Sequence, residues 1–297
     1  MRKDITFRSK GLKCAGWLYV PDNLKVGEKA PTIVMAHGLS GVKEQGLSTV
    51  AEHFMAAGFV TLVFDYHWWG ASEGDPRCQL FPLEQVDDYQ NAITWVSKQP
   101  EIDPKRVGLW GTSYSGGLVV YVASFDKRVK AIVGQVPAVA SLDARRAMNP
   151  ARWDAISEFL QKDRVTRYET GAVNYMKVVT LNSSEPCYMP GKEAYDFFTS
   201  TAKDAPNWRN QITLASVEKM REFDAGVMIH WVSPAAMLLI PAEKDDFITL
   251  ESVRAAYERA KEPKAIFPLP VKHFDVYVEP WLSTAANAAV DWFKKYL

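Results

Sequence analysis

Cysteine is scarce: Cys14, Cys78 and Cys187 are the three in 297 residues. They are odd in number, widely separated and without CxxC spacing, which excludes a disulfide framework and a thiolate metal site. Free thiols in a reducing, cytoplasmic setting are the expectation. No charge sign dominates either, since 35 basic residues balance 35 acidic ones. A nucleic-acid-binding face would need a basic excess, so no nucleic-acid partner is expected. No apolar run approaches the roughly 20 residues that cross a bilayer, and Met1–Thr6 lacks the apolar region of a signal peptide. The five histidines show neither H-x-H nor H-E-x-x-H spacing, and Glu243, Asp245 and Asp246 do not follow a calcium-loop pattern. No metal and no other cofactor is therefore expected. Internal repeats and low-complexity tracts are missing as well. Apolar residues, at 47%, are abundant, enough for a large core.

Those apolar residues are arranged in alternating periods. Thr32–Ala36, Phe59–Phe64, Val107–Trp110, Val129–Val136 and Ala236–Ile240 are short continuous apolar runs, as strands buried on both faces require. Between them lie helical spacings: Leu47–Ala57 closed by Gly58, Glu84–Val96, Ser115–Ser124, Leu250–Lys261 and a final Trp281–Leu297. Cys14–Val20 reads as an edge strand and Ala265–Pro268 as a short last strand. Strands separated by helices predict right-handed βαβ units and a mostly parallel sheet. The alternation stops between Ser141 and Trp231, a stretch rich in charge and aromatics with helical patches at Ala151–Lys162 and Ile212–Phe223. The predicted organisation is an α/β core, residues 1–140 and 232–297, carrying a helical cap at 141–231 with no clean strand.

One turn carries chemistry. Gly111-Thr112-Ser113-Tyr114-Ser115-Gly116-Gly117 joins a strand to a helix, with Ser113 at the corner. A serine held in a strained strand-to-helix turn is exposed for nucleophilic attack. Ser115 occupies a place that often holds glycine. Its hydroxyl is expected to brace the turn, and Ser115→Gly to leave activity largely intact.

A serine needs a base, and the base an orienting acid. Asp245 lies just past the strand ending at Ile240, and His273 follows one βα unit later. Serine, acid and histidine thus occur in that order, each past the carboxyl end of a different strand, where open α/β sheets place catalytic groups. Asp246 is an alternative acid, and capping of the following helix is the alternative role for Asp245. The Asp-x-x-Ile spacing to Ile248 favours Asp245 as the acid. Oxyanion stabilisation needs backbone N–H donors. The candidates are Tyr114, after the nucleophile, and Leu39, in the loop Ala36-His37-Gly38-Leu39-Ser40-Gly41. His37 is read as a brace for that loop. His67, Trp68 and Trp69 form a loop expected at the pocket rim, where they are candidate substrate contacts.

His37-Gly38, the segment Asp65–Gly74, Gly111–Gly117 and His273-Phe274-Asp275 together resemble the α/β-hydrolase superfamily. The Ser113-Tyr114-x-Gly116 form is similar to the X-prolyl dipeptidyl peptidase and cocaine-esterase-like branch. Asn207–Asn210, Ala256–Ala260 and His273-Phe274 resemble single-domain members of fungi and bacteria, some called polyketide transferases or thiohydrolases. The resemblance implies Ser113 as nucleophile, Asp245 as acid and His273 as base. Two positions depart from it, Thr249 where proline is usual and Ser115. The expected function is cleavage of a carboxylic ester or thioester through an acyl-Ser113 intermediate. Acyl transfer from the same intermediate, peptidase activity and non-catalytic ligand reception are the alternatives. A small-molecule substrate with an apolar or aromatic acyl group is the expected partner, and monomer and homodimer both stay open.

Overall fold

The computed structural model describes residues 1–297. The chain begins with an antiparallel hairpin, β1 (Arg2–Ser9) and β2 (Leu12–Tyr19), turned at Lys10 and Gly11, both at positive φ. Next come β3 (Ala30–Ala36), β4 (Val60–Phe64), β5 (Ile102–Thr112) and β6 (Val129–Gln135). The last two strands are β9 (Ala236–Ile240) and β10 (Lys264–Ile266). The eight form one sheet in the order β1-β2-β4-β3-β5-β6-β9-β10, parallel from β4 to β10. The sheet is thus mostly parallel. The expected edge position of Cys14–Val20 is corrected: β2 is second, pairing antiparallel with β4, and β1 is the edge. In β1 only Phe7 and Ser9 are buried among charged neighbours, so the true edge strand carries no apolar run.

Both faces of the parallel strands are covered, as their continuous apolar runs require. Ile33 and Met35 of β3 pack with Leu47, Val50 and Phe54 of α1 (Leu47–Ala56) and Phe293 of α9 (Trp281–Tyr296). Val34 and Ala36 point to the other face, with Tyr89 and Ile93 of α2 (Pro82–Val96) and Leu118 and Val122 of α3 (Tyr114–Phe125). α8 (Leu250–Arg259) begins at Thr249, whose side chain accepts the Ser252 N–H. A threonine in place of the usual proline there is a working N-cap.

Between β6 and β9 the chain leaves the sheet. It forms α4 (Leu142–Met148), α5 (Pro150–Thr170), α6 (Lys192–Thr201) and α7 (Leu214–Glu222). Two short strands, β7 (Tyr175–Met176) and β8 (Ile212–Thr213), pair antiparallel within this stretch, where the sequence showed none. α5 continues eight residues past the apolar patch that ends at Lys162. Its last turns are held by charge: Arg167 bonds Asp163 at 2.6 Å and Glu218 of α7 at 2.8 Å. An ion-paired helix end leaves no apolar period to read. No helix of the protein is long and apolar enough to cross a membrane.

Candidate active site

Four loops at the carboxyl ends of β3, β5, β9 and β10 meet at one place. Ser113, at the end of β5, has φ 55° and ψ −119°, a conformation that costs about 1–3 kcal/mol. The surroundings hold it there. The Ser113 N–H donates to Gln135 O at 2.8 Å, and its carbonyl accepts from Ala138 N at 3.0 Å and Gly117 N at 3.2 Å. The bend brings strand and helix so close that a Cβ on Gly111 would sit 2.3 Å from the Ser115 carbonyl oxygen. On the helix side Gly116 and Gly117 are both confined: a Cβ would sit 2.9 Å from Pro137 Cα at the first and 2.4 Å from the Ala138 carbonyl oxygen at the second.

His273 Nε2 lies 3.1 Å from Ser113 Oγ, and His273 Nδ1 lies 2.6 Å from Asp245 Oδ2. Asp245 Oδ1 accepts from the Phe247 and Ile248 amides at 2.8 and 2.9 Å. Both carboxylate oxygens are therefore oriented, one on the histidine and one on its own loop. Asp246 is exposed, and the cap of α8 is Thr249. Asp245, not Asp246, is the carboxylate that faces His273.

The loop after β3 is held from beneath. His37 is buried; its Nδ1–H donates to the Gly38 carbonyl at 2.9 Å, and burial holds its pKa below the ordinary histidine value. Its Nε2 is buried without a hydrogen-bond partner. Asp65, fully buried, accepts from Lys43 N at 2.7 Å, Lys43 Nζ at 2.8 Å and Ala71 N at 3.0 Å. Burial works against the Lys43 charge, but Asp65 and Glu44 outweigh it and hold the ammonium above its ordinary value. Neither the Leu39 nor the Tyr114 amide is used by the loop and cap hydrogen bonds of the backbone.

Ser115 is fully buried, two residues past Ser113. Its Oγ accepts from the Tyr66 hydroxyl at 3.0 Å and lies 2.6 Å from the Tyr89 hydroxyl. The Tyr89 hydroxyl in turn accepts the Ala36 N–H at 3.1 Å, at the end of β3. Burial raises both phenols above their ordinary pKa, so they stay donors. A serine hydroxyl thus links α3 to the strand that leads into the Leu39 loop.

A cavity of about 40 Å³ opens beside Ser113, between Leu39 and Gln45 on one side and Met189, Phe197, Phe198, Phe274 and Tyr277 on the other. Two ends of α6 hold this wall in place. Glu193 Oε1 accepts the Phe274 N–H at 3.1 Å, and Thr201 Oγ1 accepts from Gln45 Nε2 at 2.8 Å. Trp208 Nε1 donates to Ser40 O at 2.9 Å, a second tie to the loop after β3.

His67, Trp68 and Trp69 do not line this cavity, which corrects the expectation placed on them. His67 is 1% exposed, its Nδ1 2.7 Å from Asp88, and the Trp69 indole N–H donates to Gln79 O at 2.6 Å. Trp68 packs edge-on against Phe81. The segment folds back on α2 because buried Asp88 captures both the His67 ring and its amide. The lining residues missed by the sequence are Gln45 and the pair Thr112–Tyr277, whose hydroxyls lie 2.6 Å apart. The density of aromatics near Phe197 and Phe198 was the available signal for the rest.

Residues 10–281 match the X-Pro dipeptidyl-peptidase (S15) family. Among curated relatives, a thiohydrolase of Aspergillus aculeatus, aneE, is 30% identical over 86% of this chain and 80% of its own. A polyketide transferase of Penicillium, grgF, is 26% identical over 100% of this chain and 97% of its own. A quorum-quenching protein of Acinetobacter baumannii, AidA, is 34% identical over 70% of this chain and 67% of its own. The crystal structure of the α/β hydrolase GrgF from Penicillium superposes with a TM-score of 0.85 at 25% identity, covering 100% of this chain and 99% of that one. The fold is that of the α/β-hydrolases, a mostly parallel sheet flanked by helices.

Proposed function

The chain belongs to the X-Pro dipeptidyl-peptidase (S15) family, and we propose that within it this protein is a serine hydrolase cleaving an ester or thioester through acyl-Ser113. It is an α/β-hydrolase enzyme acting on ester or thioester bonds, in line with relatives named thiohydrolases. The observation that carries the serine mechanism is His273, whose two nitrogens face Ser113 Oγ and Asp245 Oδ2 at once.

In this reading His273 Nε2 takes the Ser113 proton as Oγ adds to the substrate carbonyl. Asp245 keeps the Nδ1 proton in place and stabilises the imidazolium that forms. The Leu39 and Tyr114 amides receive the oxyanion; one such donor typically contributes on the order of 100–1,000-fold in rate. The imidazolium then protonates the departing alcohol or thiol, leaving acyl-Ser113. Water, deprotonated by the same histidine, releases the acid and restores the serine. The small-molecule substrate brings an apolar or aromatic acyl group, in keeping with the Phe197, Phe198, Phe274, Tyr277 and Met189 wall. Residues 141–231 act as the lid.

Acyl transfer is the second reading, supported by that apolar wall, which would keep water from the intermediate while an alcohol or amine acceptor captures it. Relatives named polyketide transferases favour it too. The test is turnover of a series of 4-nitrophenyl esters and N-acetylcysteamine thioesters by the wild type and Ser113→Ala. The reading expects a loss of about 10⁴-fold or more in the variant. Comparable turnover by both overturns it. Adding an alcohol acceptor to the wild type separates acid from ester product, and so hydrolysis from transfer.

A further inference from the structure

His273 has far to reach. It follows β10, at one edge of the sheet, whereas Ser113 follows β5. β6 and β9 lie between those strands, so the two strand ends are about 14 Å apart at the usual spacing of roughly 4.8 Å. The segment after β10 crosses that gap and is anchored on the way. Val271 O accepts the Lys244 N–H at 2.9 Å, and the Phe274 amide is held by Glu193 of α6. Two side-chain hydrogen bonds then reach the end of β5. One joins His273 Nε2 to Ser113 Oγ at 3.1 Å. The other joins the neighbours of both residues: the Tyr277 and Thr112 hydroxyls lie 2.6 Å apart.

Each member of that second bond is well supported. Thr112 is 3% exposed and is the last residue of β5, in register with Gln135 of β6. Tyr277 closes the short helical turn Asp275–Tyr277, its amide donating to the Phe274 carbonyl at 3.2 Å. Its ring packs against Phe197 of α6 at 5.1 Å and Phe274 at 6.2 Å. Burial raises the phenol above its ordinary pKa, so the hydroxyl keeps its proton and can donate. Thr112 is the one hydrogen-bond partner of that hydroxyl. Both residues line the cavity beside Ser113.

We propose that Thr112 and Tyr277 are a positioning pair, whose hydrogen bond fixes the Ser113 turn against the His273 loop and so keeps Nε2 within reach of Oγ. The inference rests on the acyl-Ser113 reading and deepens it. Ser113 is fixed by backbone bonds to Gln135 and Ala138, next to β6. His273 is fixed at Nδ1 by Asp245, in the loop after β9. Neither set of bonds runs directly from one residue's segment to the other's. The hydroxyl pair does, one residue before Ser113 and four after His273. A hydrogen bond between neutral groups adds only modestly to the stability of a fold. A reacting group misplaced by about 1 Å, by contrast, can cost on the order of 100-fold in rate. Loss of this bond should therefore show in rate far more than in stability.

The variants are Tyr277→Phe, Thr112→Val, the two combined, and Thr112→Ser, which keeps the hydroxyl. Steady-state kinetics on 4-nitrophenyl acetate and 4-nitrophenyl hexanoate gives kcat and KM. The rate of labelling by a small fluorophosphonate reads attack by Ser113 without an acyl chain. Tyr277→Phe is expected to lower kcat about tenfold on both esters, leave KM within about twofold, and slow labelling in parallel. The combined variant should lose no more than either single one, because both changes remove the same bond. Thr112→Ser should retain most of the wild-type rate. A kcat within about twofold of wild type in Tyr277→Phe overturns the proposal. So do losses that multiply in the combined variant. So does a loss confined to KM, or to one ester, which would make Tyr277 a substrate contact instead. Should Thr112→Val fail to fold, Tyr277→Phe, which keeps the ring, and Thr112→Ser still decide the matter. Failure of the acyl-serine reading is separate, because it would appear as ester turnover surviving Ser113→Ala.

Discussion

Glu193, in the insertion, accepts the backbone N–H of Phe274, the residue that follows His273. The contact is 3.1 Å long and joins helix α6 to the loop that holds His273. Removing the acceptor should let that loop shift, and small misplacements of a reacting group are costly. Glu193→Ala is expected to lower kcat/KM about tenfold, while Glu193→Gln, which keeps a carbonyl oxygen, should stay within about twofold. Steady-state kinetics on one ester decides it; equal losses in both variants would show that the hydrogen bond is not what matters.

The two neighbouring acids should separate sharply. Asp245 touches His273, whereas Asp246 is exposed. Asp245→Asn is expected to cut kcat by about 10⁴-fold, because the histidine then loses its proper tautomer. Asp246→Asn should change it by less than about twofold. A larger loss at Asp246 would reverse the assignment.

Ser115 is a question of stability more than rate. The Tyr66 hydroxyl donates to Ser115 Oγ, and Tyr89 shares the same oxygen. Replacing Ser115 by glycine or alanine strands buried phenol groups, each at a cost of about 1–3 kcal/mol. Urea unfolding of Ser115→Ala should show that loss, and kcat of the folded fraction should fall less than about tenfold. Unchanged stability would mean the two tyrosines find other partners.

His37 predicts a pH effect on unfolding. Its pKa is depressed by burial in the folded chain and ordinary, about 6.5, in the unfolded chain. Below that value the unfolded state binds the extra proton first, so the neutral histidine's contribution is complete above about pH 6.5 and is lost as pH falls. Between about pH 7.5 and 5.5, the wild type should lose more stability than His37→Asn. Parallel losses would contradict a buried neutral His37.

The sheet and the convergence of three of its loops are legible in the amino-acid sequence. Ser113, Asp245 and His273 each follow a continuous apolar run, and such runs report parallel strands whose ends share one edge of the sheet. Other features had no such period. β1 carries Arg2, Lys3, Asp4 and Arg8 along an edge, so its hydrophobic signal is one residue deep. The end of α5 is held by Asp163, Arg167 and Glu218 instead of an apolar stripe. His67 looked like a rim residue because its loop follows β4, yet Asp88, twenty-one positions on, draws it into the core. That partnership depends on how α2 packs, which local spacing does not encode. The cavity wall at Phe197 and Phe274 pairs residues from distant parts of the chain, stacked 4.7 Å apart.

The acyl-serine is the central claim, and intact-protein mass spectrometry reads it directly. The wild type is incubated with a fluorophosphonate or a slowly deacylating ester, then digested to locate the adduct. One added group on Ser113, absent from Ser113→Ala and slowed in His273→Ala, is the predicted result. An adduct that persists in Ser113→Ala, or that maps to another residue, would contradict the account.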